Sequence, residues 1–211
     1  MGGPEVASPQ GLGSATMRLA VPNRTWQEDT DMAFHHVAVA TRDVQGNHRF
    51  YTAATGFELV KVVAAKSPEG GWAKHLFYET GGGQLIAFWD LHDDKLPKDY
   101  PTAIAAGLGL PLWSNHIAFH AGDLDDIKRR RDRWLSHGHD VAEIDHGWCV
   151  SIYTTDPNGI LVEFCTMTRA LDENDRAEAL RLLADPNPPL AVGGDLVAFH
   201  KATPARGAEA S

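Results

Sequence analysis

The residues best suited to chemistry lie in a phrase that occurs twice. His36-Val37-Ala38-Val39-Ala40-Thr41-Arg42-Asp43 returns as His116-Ile117-Ala118-Phe119-His120-Ala121-Gly122-Asp123. Side chains alternate between the two faces of a strand, so Phe34, His36, Ala38 and Ala40 share one side, and His35, Val37 and Val39 the other. In the second copy His116, Ala118 and His120 share a face while Ile117 and Phe119 turn to the core. Each strand sets a histidine on a face cleared by alanine, which leaves room for a metal ion between them.

A second repeat adds a carboxylate. Leu85-Ile86-Ala87-Phe88 matches Leu161-Val162-Glu163-Phe164, except that Ala87 stands where Glu163 stands. By parity Glu163 lies with Leu161 and Cys165, opposite Val162 and Phe164. A carboxylate in an apolar strand is costly to bury unless it is paired or bound to a cation, and that cost favours a ligand role.

These phrases sit in two similar modules. Residues 1–31, rich in Gly, Pro, Ser and Thr, read as a tail or arm. Residues 32–92 read β-α-β-β-β: a strand from about Phe34 to Ala40, a helix capped by Asp43 and stopped at Gly56, then strands Glu58–Ala65, Ala73–Glu79 and Gln84–Trp89. Residues 93–113 form a Pro- and Gly-punctuated linker with a short helix near Thr102–Ala106. Residues 114–168 repeat the module: a strand at Asn115–Ala121, a helix capped by Asp123 or Asp125 and closed at Gly138, and strands Val141–Ile144, Trp148–Thr154 and Ile160–Met167. Asp156-Pro157-Asn158-Gly159 joins the last pair as a strong turn signal. Residues 169–211 carry a helix capped by Asp172 or Asn174 and running through Ala184, with Leu180 and Leu183 placed to pack on the body or on a second subunit. From about Lys201 the chain is expected to fray. The expected fold class is α+β: two tandem βαβββ modules with an added C-terminal helix.

Composition narrows the partners. The 211 residues, 43% apolar, suffice for a real core. A formal net charge of −9 without a basic stripe argues against nucleic acid. The one basic run, Lys128–Arg131 with Arg133, alternates with Asp125, Asp126 and Asp132 and reads as a solvated helix face. Two cysteines suggest no disulfide framework. No stretch has the length of a membrane span or an apolar leader, so a reduced, cytoplasmic setting is expected.

The paired modules, the histidine on each first strand and the ending Asp156-Pro157-Asn158-Gly159-x-x-x-Glu163 resemble the vicinal oxygen chelate superfamily, which includes glyoxalases, bleomycin-resistance proteins and type I extradiol dioxygenases. The resemblance covers about residues 33 to 168 and implies that the two modules form a cupped mixed sheet around a metal site. It implies that His36, His116 and Glu163 bind the metal. Two imidazoles and a carboxylate form a facial triad suited to Fe(II), although the set also accepts Mn(II) or Zn(II). Glyoxalase-type isomerases commonly use a carboxylate from each half, which Ala87 removes here. The extradiol pattern matches better, because Tyr153 stands where that branch carries a tyrosine.

The implied reaction is ring cleavage of a catechol-like substrate by dioxygen. His146, on the turn before the Tyr153 strand, is the candidate acid-base, since an imidazole titrates near neutrality. Tyr153 would hydrogen-bond the substrate. His120 and His75 are further pocket candidates, and Trp72, Trp89, Trp113 and Trp148 could wall an aromatic cavity. His35 points away and is excluded as a ligand. The alternatives are a glyoxalase-like or fosfomycin-resistance-like lyase, isomerase or thiol transferase, and a bleomycin-resistance-like binding protein. A homodimer or higher homo-oligomer is expected, because the two ends need somewhere to pack.

Overall fold

The computed structural model describes residues 34–68, 70–190 and 195–202, with side chains omitted for 195–197. The expected N-terminal tail and nearly all of the expected C-terminal fray lie outside these residues. The first module runs β1 (His36–Thr41), α1 (Val44–Arg49), β2 (Glu58–Lys66), β3 (Trp72–Gly81) and β4 (Gln84–His92). Asp43 caps α1, its carboxylate accepting from the Gly46 N–H at 2.8 Å. Sequence period predicts one helix to Thr55. The helix instead widens into a π-helical turn over Phe50–Ala54, in which Thr55 N–H reaches back to the Phe50 carbonyl at 2.8 Å. That widening lets adjacent Phe50 and Tyr51 both bury completely. Gly56, at φ +90°, ends it.

A linker holding α2 (Ile104–Gly107) and a 3-10 turn (Leu112–Ser114) leads to β5 (His116–His120), α3 (Leu124–Ser136), β6 (Val141–Asp145), β7 (Cys149–Thr155) and β8 (Leu161–Met167). Asp123 rather than Asp125 caps α3, accepting from Asp126 N–H at 2.7 Å. Asp172 begins α4 (Glu173–Ala184) with a reciprocal capping box to Asp175. No residue of α4 is buried; the expected packing of Leu180 and Leu183 on the body does not occur, and Leu183 is 85% exposed. A further strand, β9 (Asp195–His200), pairs antiparallel with β6. It corrects the expectation of a plain tail after α4.

The strands form two mixed sheets, β1-β4-β3-β2 and β5-β8-β7-β6-β9. The internal repeat holds to the residue. Parallel pairing sets His36 beside Leu85 and Ala38 beside Ala87, and likewise His116 beside Leu161 and Ala118 beside Glu163. Antiparallel pairing then sets Phe77 opposite Ala87 and Tyr153 opposite Glu163. Both histidine strands are outermost in their sheets.

One core joins the modules through the sheet faces that carry the helices. Phe57 meets Phe119 at 4.9 Å and Phe164 at 6.1 Å between ring centroids, and Trp134 lies 5.1 Å from Phe164. Polar contacts lock the same side. Tyr51 donates to Asp156 at 2.9 Å, Asn158 donates to Asn47 at 2.8 Å, and Arg133 donates to the carbonyls of Ala53 and Thr52. The basic run is therefore only partly a solvated face: Arg133 bridges the modules, and Arg130 lies 4.0 Å over the Phe164 ring. Lys128 and Arg129 do pair with Asp125 and Asp126 on the surface. Among the described residues no helix is long and apolar enough to cross a membrane.

Burial raises the Asp156 pKa above its ordinary 3.8, against hydrogen bonds from Ile160, Asn158 and Tyr51 that favour the anion. A raised acid pKa stabilises the fold fully below 3.8, and that contribution is lost as pH rises through the folded value. Tyr51→Phe removes a donor to the anion and should cost about 1–3 kcal/mol at neutral pH. The penalty should shrink in acid, where Asp156 is protonated in both proteins. Urea unfolding at neutral and acid pH measures both; a penalty independent of pH would contradict the assignment.

Candidate metal centre

The donor side of the second module follows strand parity. Along β5, His116, Ala118 and His120 are exposed while Ile117 and Phe119 are half-buried. His116 is oriented from behind: its Nδ1 lies 3.0 Å from the Trp113 carbonyl. A carbonyl only accepts, so Nδ1 carries a proton and Nε2 is the nitrogen left to face Glu163. Nε2 lies 3.3 Å from Glu163 Oε2.

Glu163 is 5% exposed, and Ser151 donates to its other oxygen, Oε1. Among the described residues its ion-pair partner is His116 alone. An imidazole lone pair facing a carboxylate oxygen is repulsive unless a cation or a second proton lies between them. This pair therefore suits a divalent metal, with Ser151 and the Trp113 carbonyl as the outer supports that metal ligands commonly have.

The rest of this face is chemically coherent. Tyr153, opposite Glu163, has its hydroxyl 3.1 Å from His146 Nε2. Burial and the Glu163 charge push the Tyr153 pKa up to about 12, against a hydrogen bond from Ser151. His146 sits on the β6–β7 turn that the sequence placed it on, its N–H bonded to the Cys149 carbonyl at 2.9 Å. His120 is exposed at the strand end, beside Cys165 in register.

The first module presents its own face. His36 and Ala38 are exposed. His35 precedes β1, so strand parity does not govern it, and its Nδ1 lies 2.7 Å from that of His36. His75 stacks on Trp89 at 3.7 Å, touches Phe77 at 4.1 Å, and lies 6.0 Å from His36 between ring centroids. Its Nε2 is buried without a hydrogen-bond partner, and burial, with the nearby His36, lowers its pKa. The sequence held His75 only as a minor pocket candidate. Its place beside Trp89 depends on strand register, which composition does not reveal.

Of the expected ligands, then, His116 and Glu163 meet, and His36 stands on the other sheet. Among the described residues no three His, Cys, Asp or Glu side chains converge as a metal site. The tryptophans divide likewise. Trp89 belongs to the His36 face, Trp72 stacks on His92 at 3.8 Å, and Trp113 and Trp148 are exposed. A hollow of about 1210 Å³ lined by Arg42, Trp72, His92, Lys98 and Tyr100 lies away from the donor pair.

Two tandem βαβββ modules with a histidine on each first strand and a glutamate ending the second define the class of protein. The sequence model of the glyoxalase/bleomycin resistance protein/dioxygenase superfamily matches residues 33–164, and the chain belongs to that superfamily. Among solved structures, a glyoxalase/bleomycin resistance protein/dioxygenase domain from Frankia sp. EAN1pec is 18% identical, with a TM-score of 0.50 over 64% of this chain and 98% of that one. A lactoylglutathione lyase from Agrobacterium tumefaciens is 23% identical, with a TM-score of 0.42 over 63% and 92%. A mutant of the fosfomycin resistance protein FosX from Listeria monocytogenes, solved with Mn(II), is 17% identical, with a TM-score of 0.44 over 69% and 97%. No curated protein matches the chain.

Ser151→Ala leaves the Glu163 carboxylate buried with one donor fewer. The metal-free variant should lose about 1–3 kcal/mol of stability, the usual cost of an unsatisfied buried group. Denaturant titration in the presence of a chelator reads this, and an unchanged midpoint would mean that the hydroxyl does not support Glu163.

Proposed function

We propose that the chain is a metal-dependent, ring-cleaving dioxygenase acting on a catechol-like aromatic, with His36, His116 and Glu163 as ligands to Fe(II). The observation that carries this reading is the Tyr153–His146 hydrogen bond set directly beside the His116–Glu163 donor pair. A donor pair alone serves many reactions. A proton-transfer pair next to it suits a substrate whose hydroxyl protons must leave and be returned to oxygen as the ring opens. When bound, ferrous iron supplies electron transfer between the aromatic diol and dioxygen and acidifies the hydroxyls bound to it.

The protein's own groups have separable roles. Trp113 and Ser151 hold the two ligands in orientation. Tyr153, with its pKa near 12, remains a neutral phenol and donates a hydrogen bond to a substrate oxygen. His146 takes the proton released from the substrate hydroxyl and returns one to oxygen as the ring opens. Both atoms of dioxygen enter the product, so no external reductant is required. Ala87, in the place equivalent to Glu163, leaves the first module without a matching carboxylate. That disfavours chemistry needing a carboxylate from each half.

After anaerobic loading with Fe(II), addition of a panel of catechols should give oxygen uptake with a yellow ring-opened product. His146→Ala should retain metal and lose about 10²–10⁴-fold in turnover, the range of acid-base contributions. Bound metal without uptake across the panel would move the reaction to the isomerase or transferase class.

Divalent metal should also raise the melting temperature of the wild-type protein, because a ligand that binds only the folded state stabilises it. Glu163→Gln should abolish that rise. Calorimetry with Mn(II) distinguishes the two, and an equal rise in both proteins would remove Glu163 from the ligand set.

A further inference from the structure

The two histidines that open β5 and β1 are held by different kinds of partner. His116 Nδ1 faces the Trp113 carbonyl, a group that only accepts, so that nitrogen carries a proton. His36 Nδ1 faces another imidazole nitrogen instead, His35 Nδ1 at 2.7 Å. A hydrogen bond between two such nitrogens needs a proton on one and a lone pair on the other. For two neutral rings both arrangements satisfy the bond, and they differ in what they leave at His36 Nε2. With the proton on His36 Nδ1, Nε2 keeps its lone pair. With the proton on His35 Nδ1, His36 Nε2 carries a hydrogen and has nothing to offer a metal.

The local backbone makes this contact specific. Successive residues of a strand point to opposite faces, so neighbouring side chains do not meet within one. His35 lies just before β1 and escapes that alternation, while its backbone is still anchored: its carbonyl accepts from the Leu85 N–H of β4 at 3.1 Å. Its ring meets that of His36 edge-on, 5.0 Å between centroids and 74° between planes. Phe77 and His75 of β3 stand 5.7 Å and 6.0 Å from the same ring. The His36 imidazole thus has aromatic neighbours that set its angle and one hydrogen-bond partner that sets its proton.

We infer that, with His36 a metal ligand as proposed above, His35 is a positioning residue that accepts from His36 Nδ1 and so leaves Nε2 to bind the metal. Ligating histidines commonly donate their second N–H to an acceptor, which fixes the ring and makes the ligating nitrogen more basic. The Trp113 carbonyl is that acceptor for His116, and the His35 imidazole is that acceptor for His36. Metal binding selects the arrangement with the proton on His36 Nδ1, and His35 then keeps its own proton on Nε2. A residue that strand parity removes from the ligand set therefore acts on the metal through its neighbour.

Two substitutions separate acceptance from bulk. The side-chain amide of asparagine sits close to where a histidine holds Nδ1, so His35→Asn retains an acceptor, while His35→Phe retains a ring without one. Diamagnetic Zn(II) stands in for iron, and its affinity is read by competition with a chelating dye. His35→Phe should lose about 10–100-fold, the usual cost of removing such a support, and His35→Asn should recover most of that loss. Circular dichroism should show both variants folded. Nitrogen-15 NMR of the imidazoles in the Zn(II)-bound wild type should show the proton of His36 on Nδ1 and that of His35 on Nε2.

Failure of this role is distinct from failure of the ligand reading. Full Zn(II) affinity in His35→Phe, with affinity still lost in His36→Ala, would overturn the role of His35 and leave His36 a ligand. Equal losses in His35→Phe and His35→Asn, or a proton on His35 Nδ1 in the Zn(II)-bound protein, would overturn it as well. Full affinity in His36→Ala would remove His36 from the ligand set and the inference with it.

Discussion

The buried Asp156 carboxylate is the constraint on which the rest of the arrangement depends. It accepts from the N–H groups of Asn158 and Ile160 within its own turn, from the Asn158 side chain, and from the Tyr51 hydroxyl of the other module. The first three shape the turn between β7 and β8 and so set the register that brings Tyr153 opposite Glu163. The fourth fastens that hairpin to the helical layer of the first module. One carboxylate thereby aligns the donor face of the second module and fixes which side of each sheet faces inward. Neutralising hydrogen bonds make such burial tolerable, and losing one exposes the cost of the rest.

A similar logic governs Glu163, with a different answer. Asp156 is satisfied by protein donors, whereas Glu163 has the Ser151 hydroxyl on one oxygen and an imidazole nitrogen on the other. The first buried acid is complete with protein donors, and the second is complete only with a cation or a second proton on the imidazole. This difference in partners, more than any difference in burial, separates Asp156 from the proposed ligand Glu163.

Much of this was legible in the sequence because the relevant signals are local. Period-two alternation placed His116, Ala118 and His120 on one face, and the doubled phrase located equivalent positions in each module to the residue. The cap at Asp43, the alternatives Asp123 or Asp125 and Asp172 or Asn174, and the turn at Asp156–Gly159 marked element ends through side chains that bond the nearby backbone, and the structure selects Asp123 and Asp172. What could not be read depends on contacts between distant segments. The π-helical turn arises because Phe50 and Tyr51 must both bury. Arg133 bridges to the carbonyls of Thr52 and Ala53, though its run of alternating charge looks like ordinary surface. β9 stands where the sequence reads as a tail, because its pairing with β6 has no local signature. The relative disposition of the two histidine faces was the largest gap. Strand parity says which residues share a face, and only the inter-module core says that the two faces look apart.

The central claim is that the carboxylate of Glu163 and the imidazole of His116 exist to hold a divalent metal. A crystal structure of Mn(II)-soaked protein, with diffraction collected on both sides of the manganese absorption edge, tests it most directly. The predicted result is an anomalous peak between Glu163 Oε2 and His116 Nε2, within bonding distance of both. No peak at that position, with His116 Nε2 still hydrogen-bonded directly to Glu163, would contradict the claim and make the pair a structural one.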